Sequence, residues 1–360
     1  MLPRTHLVML LLSFVCISGS QEIKFLRFVC DHGLPFLGGG EQCRYKSTHS
    51  ARIDPEESGD ILPRSSSPLS EGNEVIVDFF LDGSPSSTST GSNKGSTKDR
   101  NKDSRAAIAL LILPGGSYER LASYQADIFP SELLKKNAIR RDMRPVVVRY
   151  RVPPPYHSAP YEDSSIVARF LLHLSTAEDS LPTRIQLGLK ENFRLAVLGF
   201  SAGGHAAALF ATRTLLDLTF VVLVYPVISF DRNITHSLSF QNFFRKQQLQ
   251  LLDNTASSDG KNGEAKKDEL VRRYSLENAV SSLRCSAVYL THSRDDDVVG
   301  VEHSARMHRA LLNSVGGPRV EFKEYPSGGH RRWTAKNNTA LLSFKWIEDM
   351  LNWMSLFSAR

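Results

Sequence analysis

The chain has 360 residues, of which 41% are hydrophobic and 23% are charged, and its formal net charge is +6. This composition is typical of a globular protein and suffices for one large domain or two small ones. The positive charges are scattered and form no dense run interleaved with aromatic residues, so nucleic acid is not an expected partner. No pattern indicates an oligomeric state.

The first twenty residues have the three-part pattern of a secretory signal peptide. The short basic start MLPRTH precedes the apolar core LVMLLLSFVCI, and the small residues SGSQ follow. The apolar run is about half of the roughly 20 residues that span a bilayer, so cleavage after Ser20 is favoured over an uncleaved anchor. We therefore expect a secreted protein without a membrane span.

The secretory pathway permits disulfide bonds and N-glycosylation. Cys30 and Cys43 lie close together in a glycine-rich segment and are predicted to pair. Cys285, at the edge of an apolar strand, is predicted to be a buried free thiol, although an odd number of cysteines leaves an intermolecular bond open. The triplets NIT at Asn233 and NNT at Asn337 are candidate glycosylation sites.

From Ala106 onwards, apolar strand patterns alternate with helical patterns. The predicted strands are AAIALLIL, PVVVRYRV, RLAVLGF, LTFVVLVYPVI, SAVYLTHS and RVEFKEY, and ALLSFKWIEDMLNWM is the closing helix. This alternation predicts an α/β protein with a mostly parallel central sheet and helices on both faces. The earlier segment EVIVDFFLD is predicted to be another strand of the same sheet.

Three segments are predicted along the chain. Residues 1–20 are the signal peptide, 21–73 are an N-terminal extension that no pattern places in the fold, and 74–360 are the main domain. Two polar low-complexity stretches within that domain, 84–104 and 253–269, are predicted to be disordered inserts.

The stretch RLAVLGFSAGGHAAALF leads from an apolar strand into an alanine-rich helix through Gly199-Phe200-Ser201-Ala202-Gly203. It fits G-x-S-x-G, in which a serine leaves the strand at a tight turn and projects its hydroxyl above the sheet. Side chains at 199 and 203 would collide with the neighbouring strand and helix. Ser201 is therefore the predicted nucleophile, and a glycine-rich connection without chemistry is the alternative.

A serine hydroxyl needs a base that accepts its proton and a carboxylate that orients the base. With this type of turn, the acid and then the base follow later strands. The stretch THSRDDDVVG offers Asp295, Asp296 and Asp297, of which Asp296 is favoured and Asp295 stays open as the acid. His330, in the glycine loop YPSGGHRRW after the next strand, is the predicted base.

Four other histidines compete with this base. His205 is expected to pack locally, and His292, at a strand end, to be a ligand or a group that supports the site. His303 and His308 are expected on a solvated helix.

Acyl transfer develops a negative oxygen that backbone N–H groups must stabilise. LILPGGSY ends a strand with two glycines, where hydrolases with this turn place their oxyanion loop. The amides of Gly116, Ser117 and Ala202 are the candidates, and a plain Pro-Gly turn is the alternative. No metal or cofactor is expected, because no paired-cysteine, H-E-x-x-H or phosphate-loop motif occurs.

Together these stretches resemble the α/β-hydrolases, and within them the bacterial acetyl-xylan and feruloyl esterase-like group near the hormone-sensitive-lipase branch. The matching stretches LPGGSY, VVVRYRVPPP, GFSAGGH, VLVYPVISF, THSRDDDVVGVEHS and YPSGGHRRW occur in family order. The resemblance implies Ser201 as nucleophile, Asp296 as acid, His330 as base and the Pro-Gly-Gly loop as oxyanion hole.

The chain departs from the family pattern at two positions near this site. Gly300 stands where the family often has proline, and Arg331 stands where it usually has glycine. Arg331 and Arg332 follow the predicted base directly and would favour an acidic substrate.

The hypothesis is a secreted serine carboxylester hydrolase that acts on a small-molecule or carbohydrate ester, with an O-acetyl group on a sugar or a small acyl ester as substrate. Two alternatives stay open: an amide hydrolase of the arylformamidase type, and a non-catalytic binding protein on a hydrolase scaffold.

Overall fold

Nine strands of the described residues form one sheet. A computed structural model of the chain describes residues 21–31, 43–53, 74–81, 105–135, 142–245, 260–330 and 345–357. The strands are β1 (Gln21–Asp31), β2 (Cys43–Ile53), β3 (Glu74–Phe80), β4 (Ala106–Leu113), β5 (Met143–Arg149), β6 (Leu189–Phe200), β7 (Val221–Val224), β8 (Ala287–Ser293) and β9 (Arg319–Tyr325). Their order across the sheet is β2-β1-β3-β5-β4-β6-β7-β8-β9.

The six strands from β5 to β9 in this order run parallel, whereas β1, β2 and β3 pair antiparallel at one side. Parallel strands joined by helices are buried on both faces, which explains their continuous apolar runs. All four residues of β7 are buried. The predicted fold class, an α/β-hydrolase fold with a mostly parallel sheet, is confirmed.

Helices cover both faces of the sheet. They are α1 (Phe129–Lys135), α2 (Ala159–Thr176), α3 (Leu181–Leu187), α4 (Ala202–Arg213), α5 (Ser237–Phe243), α6 (Gly260–Tyr274), α7 (Glu302–Leu312) and α8 (Lys345–Ser355), with a π-helical turn at Tyr124–Ile128 before α1. Residues of α2, α4 and α7 join one hydrophobic cluster, and residues of α1 and α8 join the other. Among the described residues, none of the helices combines the length and the apolarity that crossing a bilayer requires.

The N-terminal extension contributes two strands to this sheet. Arg27 on β1 and Arg149 on β5 both form ion pairs with the buried Asp78 on β3, at 2.7 and 2.6 Å. Burial opposes ionisation of Asp78, but the two guanidinium groups outweigh it and lower the pKa of this carboxyl. Ion pairs across three strands therefore connect the extension to the domain. The local sequence pattern did not predict this contact.

The cysteines lie at opposite sides of the sheet. Cys30 is disulfide-bonded, and the residue opposite it in the antiparallel register of β1 and β2 is Cys43. Cys285 is free and only partly buried, and burial raises the pKa of its thiol to about 12.

One polar insert differs from its prediction. Residues 260–269, which were expected to be disordered, form the first turns of α6. The segment contains good helix formers, and the helix ends on Tyr274, whose side chain is 1% exposed. Packing of the helix end therefore stabilises a segment whose composition alone indicated disorder. The signal peptide, the insert 84–104 and residues 331–344, with Asn337, lie outside the described residues.

Candidate active site

Ser201 occupies the turn between β6 and α4. Its φ is +52°, a left-handed value that is costly for a residue with a side chain. A Cβ at Gly203 would lie 2.2 Å from the Leu113 carbonyl oxygen, and one at Gly199 would lie 2.2 Å from the Gly203 carbonyl oxygen. No side chain fits at those distances, so both glycines are needed for the serine to leave the strand at this angle.

The end of β7 holds this turn in place. The Ser201 amide donates a hydrogen bond to the Val224 carbonyl, and the Val227 amide donates to the Ser201 carbonyl, both at 3.0 Å. These bonds stabilise the strained backbone, because a displaced serine would leave buried polar groups unpaired.

Three side chains from the ends of β6, β8 and β9 meet at one edge of the sheet. His330 Nε2 lies 3.0 Å from Ser201 Oγ, and His330 Nδ1 lies 2.7 Å from Asp296 Oδ2. Burial opposes ionisation of Asp296, but hydrogen bonds from His292 and His330 outweigh it and hold the pKa of the carboxyl well below its usual range. A carboxylate only accepts, so Nδ1–H donates to Asp296 and Nε2 is left to accept from the serine hydroxyl.

The turn after β8 fixes the Asp296 carboxylate. The amides of Val298 and Val299 donate to Asp296 Oδ1 at 3.0 and 2.9 Å. His292 Nε2–H donates to the Val299 carbonyl at 2.7 Å and lies 3.3 Å from Asp296 Oδ2. The Ser304 hydroxyl, 2.8 Å from His292 Nδ1, completes the arrangement. His292 thus supports the carboxylate, which is one of its two predicted roles.

The two neighbouring acids are placed differently. Asp295 is exposed, and its Oδ1 accepts a hydrogen bond from the Gly329 amide at 2.8 Å. Gly329 has a φ of +54° and precedes the histidine, so Asp295 fastens the loop that carries the imidazole. Asp297 is exposed. Of these three acids, Asp296 is therefore the one that forms the hydrogen bond with the His330 ring, whereas Asp295 binds the backbone of the loop.

The Pro-Gly-Gly loop after β4 lies directly beside the serine. A Cβ at Gly115 would be 2.9 Å from Ser201 Cβ. The Gly115 amide donates to Gln125 Oε1 at 2.6 Å. Within the described residues, the amides of Gly116, Ser117 and Ala202 donate to no protein acceptor. Three donors thus remain beside the nucleophile, although their role as an oxyanion hole stays a prediction.

Two side chains fix the backbone of this loop. The Tyr150 hydroxyl donates to the Pro114 carbonyl at 2.6 Å, and Asn242 Nδ2 on α5 donates to the Ser117 carbonyl at 2.9 Å. Ser117 has a φ of +56°, which such tethers hold in place. The sequence carried no signal for either tether, because both partners are distant along the chain.

His205 connects the same loop to α6. The Tyr118 hydroxyl donates to His205 Nδ1 at 2.7 Å, and His205 Nε2–H donates to the Tyr274 carbonyl at 2.9 Å. Burial lowers the pKa of His205 to about 3, so the ring is neutral at physiological pH. It acts as a structural link and not as a second base.

His303 is fully buried, which corrects the expectation that it lies on a solvated helix face. Its Nδ1 accepts from the amides of Ile228 and Ser229 at 3.0 and 3.1 Å, and its Nε2–H donates to the Ile234 carbonyl at 2.8 Å. Burial lowers its pKa to about 4. The imidazole therefore forms hydrogen bonds with backbone groups of the loop after β7. The sequence of α7 alone could not predict this burial, because the partners lie in another segment. Of the two histidines on α7, His308 is the one that is partly exposed.

Two further features concern the surroundings of the site. The Asn233 side chain lies in an exposed position of the loop before α5. Among the described residues, no group of three or more histidine, cysteine, aspartate or glutamate side chains is arranged to hold a metal ion.

Comparisons with known proteins agree with this architecture. The family model described as "Prolyl oligopeptidase family" matches residues 184–357, which include the serine, the acid and the histidine. An acetylxylan esterase of Xylanibacter ruminicola is 26% identical over 257 residues, which cover 70% of this chain. The chain spans less than half of that relative, 46% of its length.

Solved structures of hydrolases share the fold. An acetyl ester-xyloside bifunctional hydrolase from Caldicellulosiruptor lactoaceticus has 24% sequence identity and a TM-score of 0.52, with 71% of this chain and 85% of that chain covered. The carboxylesterase Cest-2923 from Lactobacillus plantarum has 14% identity and a TM-score of 0.53, with 80% and 95% covered. At these identities the likeness establishes the fold alone.

Proposed function

We propose that the chain, which has the α/β-hydrolase fold, is a serine carboxylester hydrolase that removes acetyl or other small acyl groups from sugar-linked or small esters. The observation that carries the proposal is the continuous hydrogen-bonded chain from Ser201 through His330 to Asp296, at 3.0 and 2.7 Å. The relative named as an acetylxylan esterase supports the choice of acyl group.

The first half of the reaction forms an acyl-enzyme. Ser201 Oγ attacks the ester carbonyl carbon while His330 Nε2 accepts the hydroxyl proton. Asp296 stabilises the imidazolium that results. The carbonyl oxygen becomes negative in the tetrahedral intermediate and accepts hydrogen bonds from the free amides beside Ser201, those of Gly116, Ser117 and Ala202.

Departure of the alcohol completes the acyl-enzyme, and water then restores the enzyme. The imidazolium gives its proton to the leaving alcohol as the ester bond breaks, and the acyl group stays on Ser201. Water then attacks this acyl-enzyme while His330 accepts one of its protons. Collapse of the second tetrahedral intermediate returns that proton to Ser201 Oγ and releases the carboxylic acid, so the net reaction consumes one ester and one water.

Hydrolysis of p-nitrophenyl acetate by the purified protein tests the proposal. We expect the wild type to release p-nitrophenol catalytically and Ser201→Ala to lose nearly all of this activity. Ser314→Ala, in the turn after α7, is the matched control and is expected to behave as the wild type. Equal rates for Ser201→Ala and the wild type would overturn the assignment.

An amide is the second candidate substrate, because the matching family model is named for an oligopeptidase. An aryl ester and the corresponding aryl formamide, compared at equal concentrations, separate the two candidates. We expect a higher kcat/KM for the ester. A wild-type protein that hydrolyses neither substrate and resists a fluorophosphonate probe would instead favour a non-catalytic binding protein.

We also propose that the protein enters the secretory pathway and loses residues 1–20. The disulfide at Cys30 and the exposed position of Asn233 support this, since both fit an oxidising, glycosylating compartment. Expression in secretory cells, followed by N-terminal sequencing and glycosidase treatment of the medium fraction, tests it. A product that keeps its first residues and stays inside the cell would contradict it.

A further inference from the structure

We propose that Gln125 is a positioning residue that couples the oxyanion loop to the general base. The proposal rests on the hydrolase function proposed above. The buried carboxamide of Gln125 lies between two parts of the site, the oxyanion loop at Gly115 and the Tyr225 ring that packs against His330. It forms no hydrogen bond with the nucleophile or the acid.

The Gln125 side chain makes one bond to each half. It is 6% exposed, and its Oε1 accepts from the Gly115 amide at 2.6 Å. Its Nε2 donates to the Tyr225 hydroxyl at 3.0 Å. Gly115 packs against Ser201, since a Cβ there would be 2.9 Å from the serine Cβ. One end of the carboxamide thus sets the backbone that leads into the oxyanion loop.

The other end sets the surface on which the base rests. The Tyr225 ring lies 4.6 Å from the His330 ring, at an interplanar angle of 63°. Tyr225 is 3% exposed and has a φ of +37°, and its amide donates to the Thr291 carbonyl of β8 at 2.7 Å. Burial raises the pKa of its hydroxyl far above the usual range, so this group stays neutral. The imidazole therefore packs edge-to-face on a ring whose far end Gln125 holds.

A carboxamide meets both demands without charge. The Gly115 amide needs an acceptor, and the bond to the Tyr225 hydroxyl uses a donor. An apolar side chain would leave the buried amide unpaired, and a carboxylate would place a negative charge beside the developing oxyanion. Gln125 lies in the π-helical turn, a geometry that inserts one extra residue and is frequent at functional sites.

The coupling gives Gln125 a precise consequence for the reaction. With the Gly115 amide bound to Oε1, the following amides of Gly116 and Ser117 are directed to the oxyanion. Loss of this bond leaves the buried Gly115 amide unpaired and loosens the loop. The effect belongs to the transition state, so it should lower kcat more than it raises KM.

Two substitutions at this position separate charge from shape. Gln125→Met keeps the length of the side chain and removes both bonds, and we expect kcat to fall by about 10- to 100-fold with KM changed by less than about threefold. Gln125→Glu keeps the acceptor but adds a charge. Its kcat relative to the wild type should therefore recover as the pH is lowered and the new carboxyl becomes neutral.

The coupling itself is tested by a double-mutant cycle with Tyr225→Phe, which removes only the hydroxyl. We expect Tyr225→Phe to lower kcat by about three- to tenfold, and the combination with Gln125→Met to lower it no further than Gln125→Met alone. The exposed Gln186 on α3 supplies the matched control, Gln186→Met, which should leave kcat unchanged.

Two readouts separate failure of this inference from failure of the proposed function. Ester turnover and the rate of Ser201 labelling by a fluorophosphonate are measured for every variant, with the urea midpoint as a check of folding. A wild type without ester turnover contradicts the proposed function, and labelling rates then still rank the variants. Wild-type rates in Gln125→Met, a pH-independent loss in Gln125→Glu, or additive losses in the cycle would each overturn the positioning role.

Discussion

At the scale of single residues, the choice between two adjacent carboxyls decides the chemistry. Asp296 is 8% exposed, lies 2.7 Å from His330 and has a lowered pKa, whereas Asp295 is exposed and binds a backbone amide. Only a buried, ionised carboxylate in contact with Nδ1 stabilises the imidazolium that forms when the serine loses its proton.

We predict that Asp296→Asn lowers kcat for an aryl acetate by roughly 10³- to 10⁴-fold, the size of the loss for the equivalent change in a serine protease. Asp295→Asn, the matched control, should lower it by less than about tenfold, because a loop tether is weakened while the imidazole keeps its partner. Steady-state rates at pH 8 measure both. A larger loss of kcat for Asp295→Asn than for Asp296→Asn would show that Asp296 is not the acid.

At the scale of elements, the β6–α4 turn depends on backbones in close contact. A Cβ at Gly203 would lie 2.2 Å from the Leu113 carbonyl oxygen and 2.4 Å from that of Pro114, so β4 and α4 would have to separate. At Gly300, in the turn before α7, the described residues other than its chain neighbours place no atom within 4 Å of the Cβ position.

We therefore predict that Gly203→Ala lowers the free energy of unfolding by about 3 kcal/mol, at the upper end for overpacking, because rigid backbone blocks the added methyl. Gly300→Ala should leave stability unchanged or raise it by roughly 0.4–1 kcal/mol, since it restricts the unfolded chain without a clash. Urea denaturation measures both values. Equal midpoints for the two variants would show that the turn tolerates a side chain.

The elements also show what sequence patterns can reveal. β4, β6, β7 and β8 could be predicted because parallel strands that are covered on both faces carry long apolar runs. β1 could not, since its place in the sheet depends on β3 and on the ion pair between Arg27 and Asp78, which are 51 positions apart. The first turns of α6, residues 260–269, were not predicted because composition reports local propensity and not the packing of a helix end.

The candidate site also contains residues that the sequence could predict and residues that it could not. Ser201, Asp296 and His330 could be chosen from the sequence because each follows a recognisable strand in a fixed order. Gln125, Asn242 and the role of His205 could not, because their contacts join segments whose approach only the folded chain defines. Motifs identify the groups that react, whereas the groups that hold them depend on tertiary structure.

At the scale of the whole molecule, two buried neutral histidines make stability depend on pH. Burial lowers the pKa of His205 to about 3 and that of His303 to about 4, from an ordinary value of 6.5. The unfolded chain therefore binds more protons than the native state below pH 6.5. The contribution of the two neutral imidazoles to the free energy of unfolding is fully present above pH 6.5 and is lost progressively as the pH falls towards 4 and 3.

We predict that the free energy of unfolding falls by roughly 2–4 kcal/mol between pH 7 and pH 5, since each group contributes up to about 1.4 kcal/mol per pH unit in this range. His303→Gln should flatten this dependence, because a neutral amide replaces one titrating group. His308→Gln, at a partly exposed position on the same helix, is the matched control and should change the dependence less. Identical pH profiles for His303→Gln and the wild type would contradict the burial argument.

The most direct test of the account is the rate at which a fluorophosphonate probe labels the protein, with the modified residue located by mass spectrometry. We predict label on Ser201 in the wild type and a labelling rate lower by roughly 10³-fold or more in His330→Ala, because the hydroxyl then lacks the group that accepts its proton. Label on another residue, or an equal rate in His330→Ala, would contradict the claim that these side chains act as one catalytic unit.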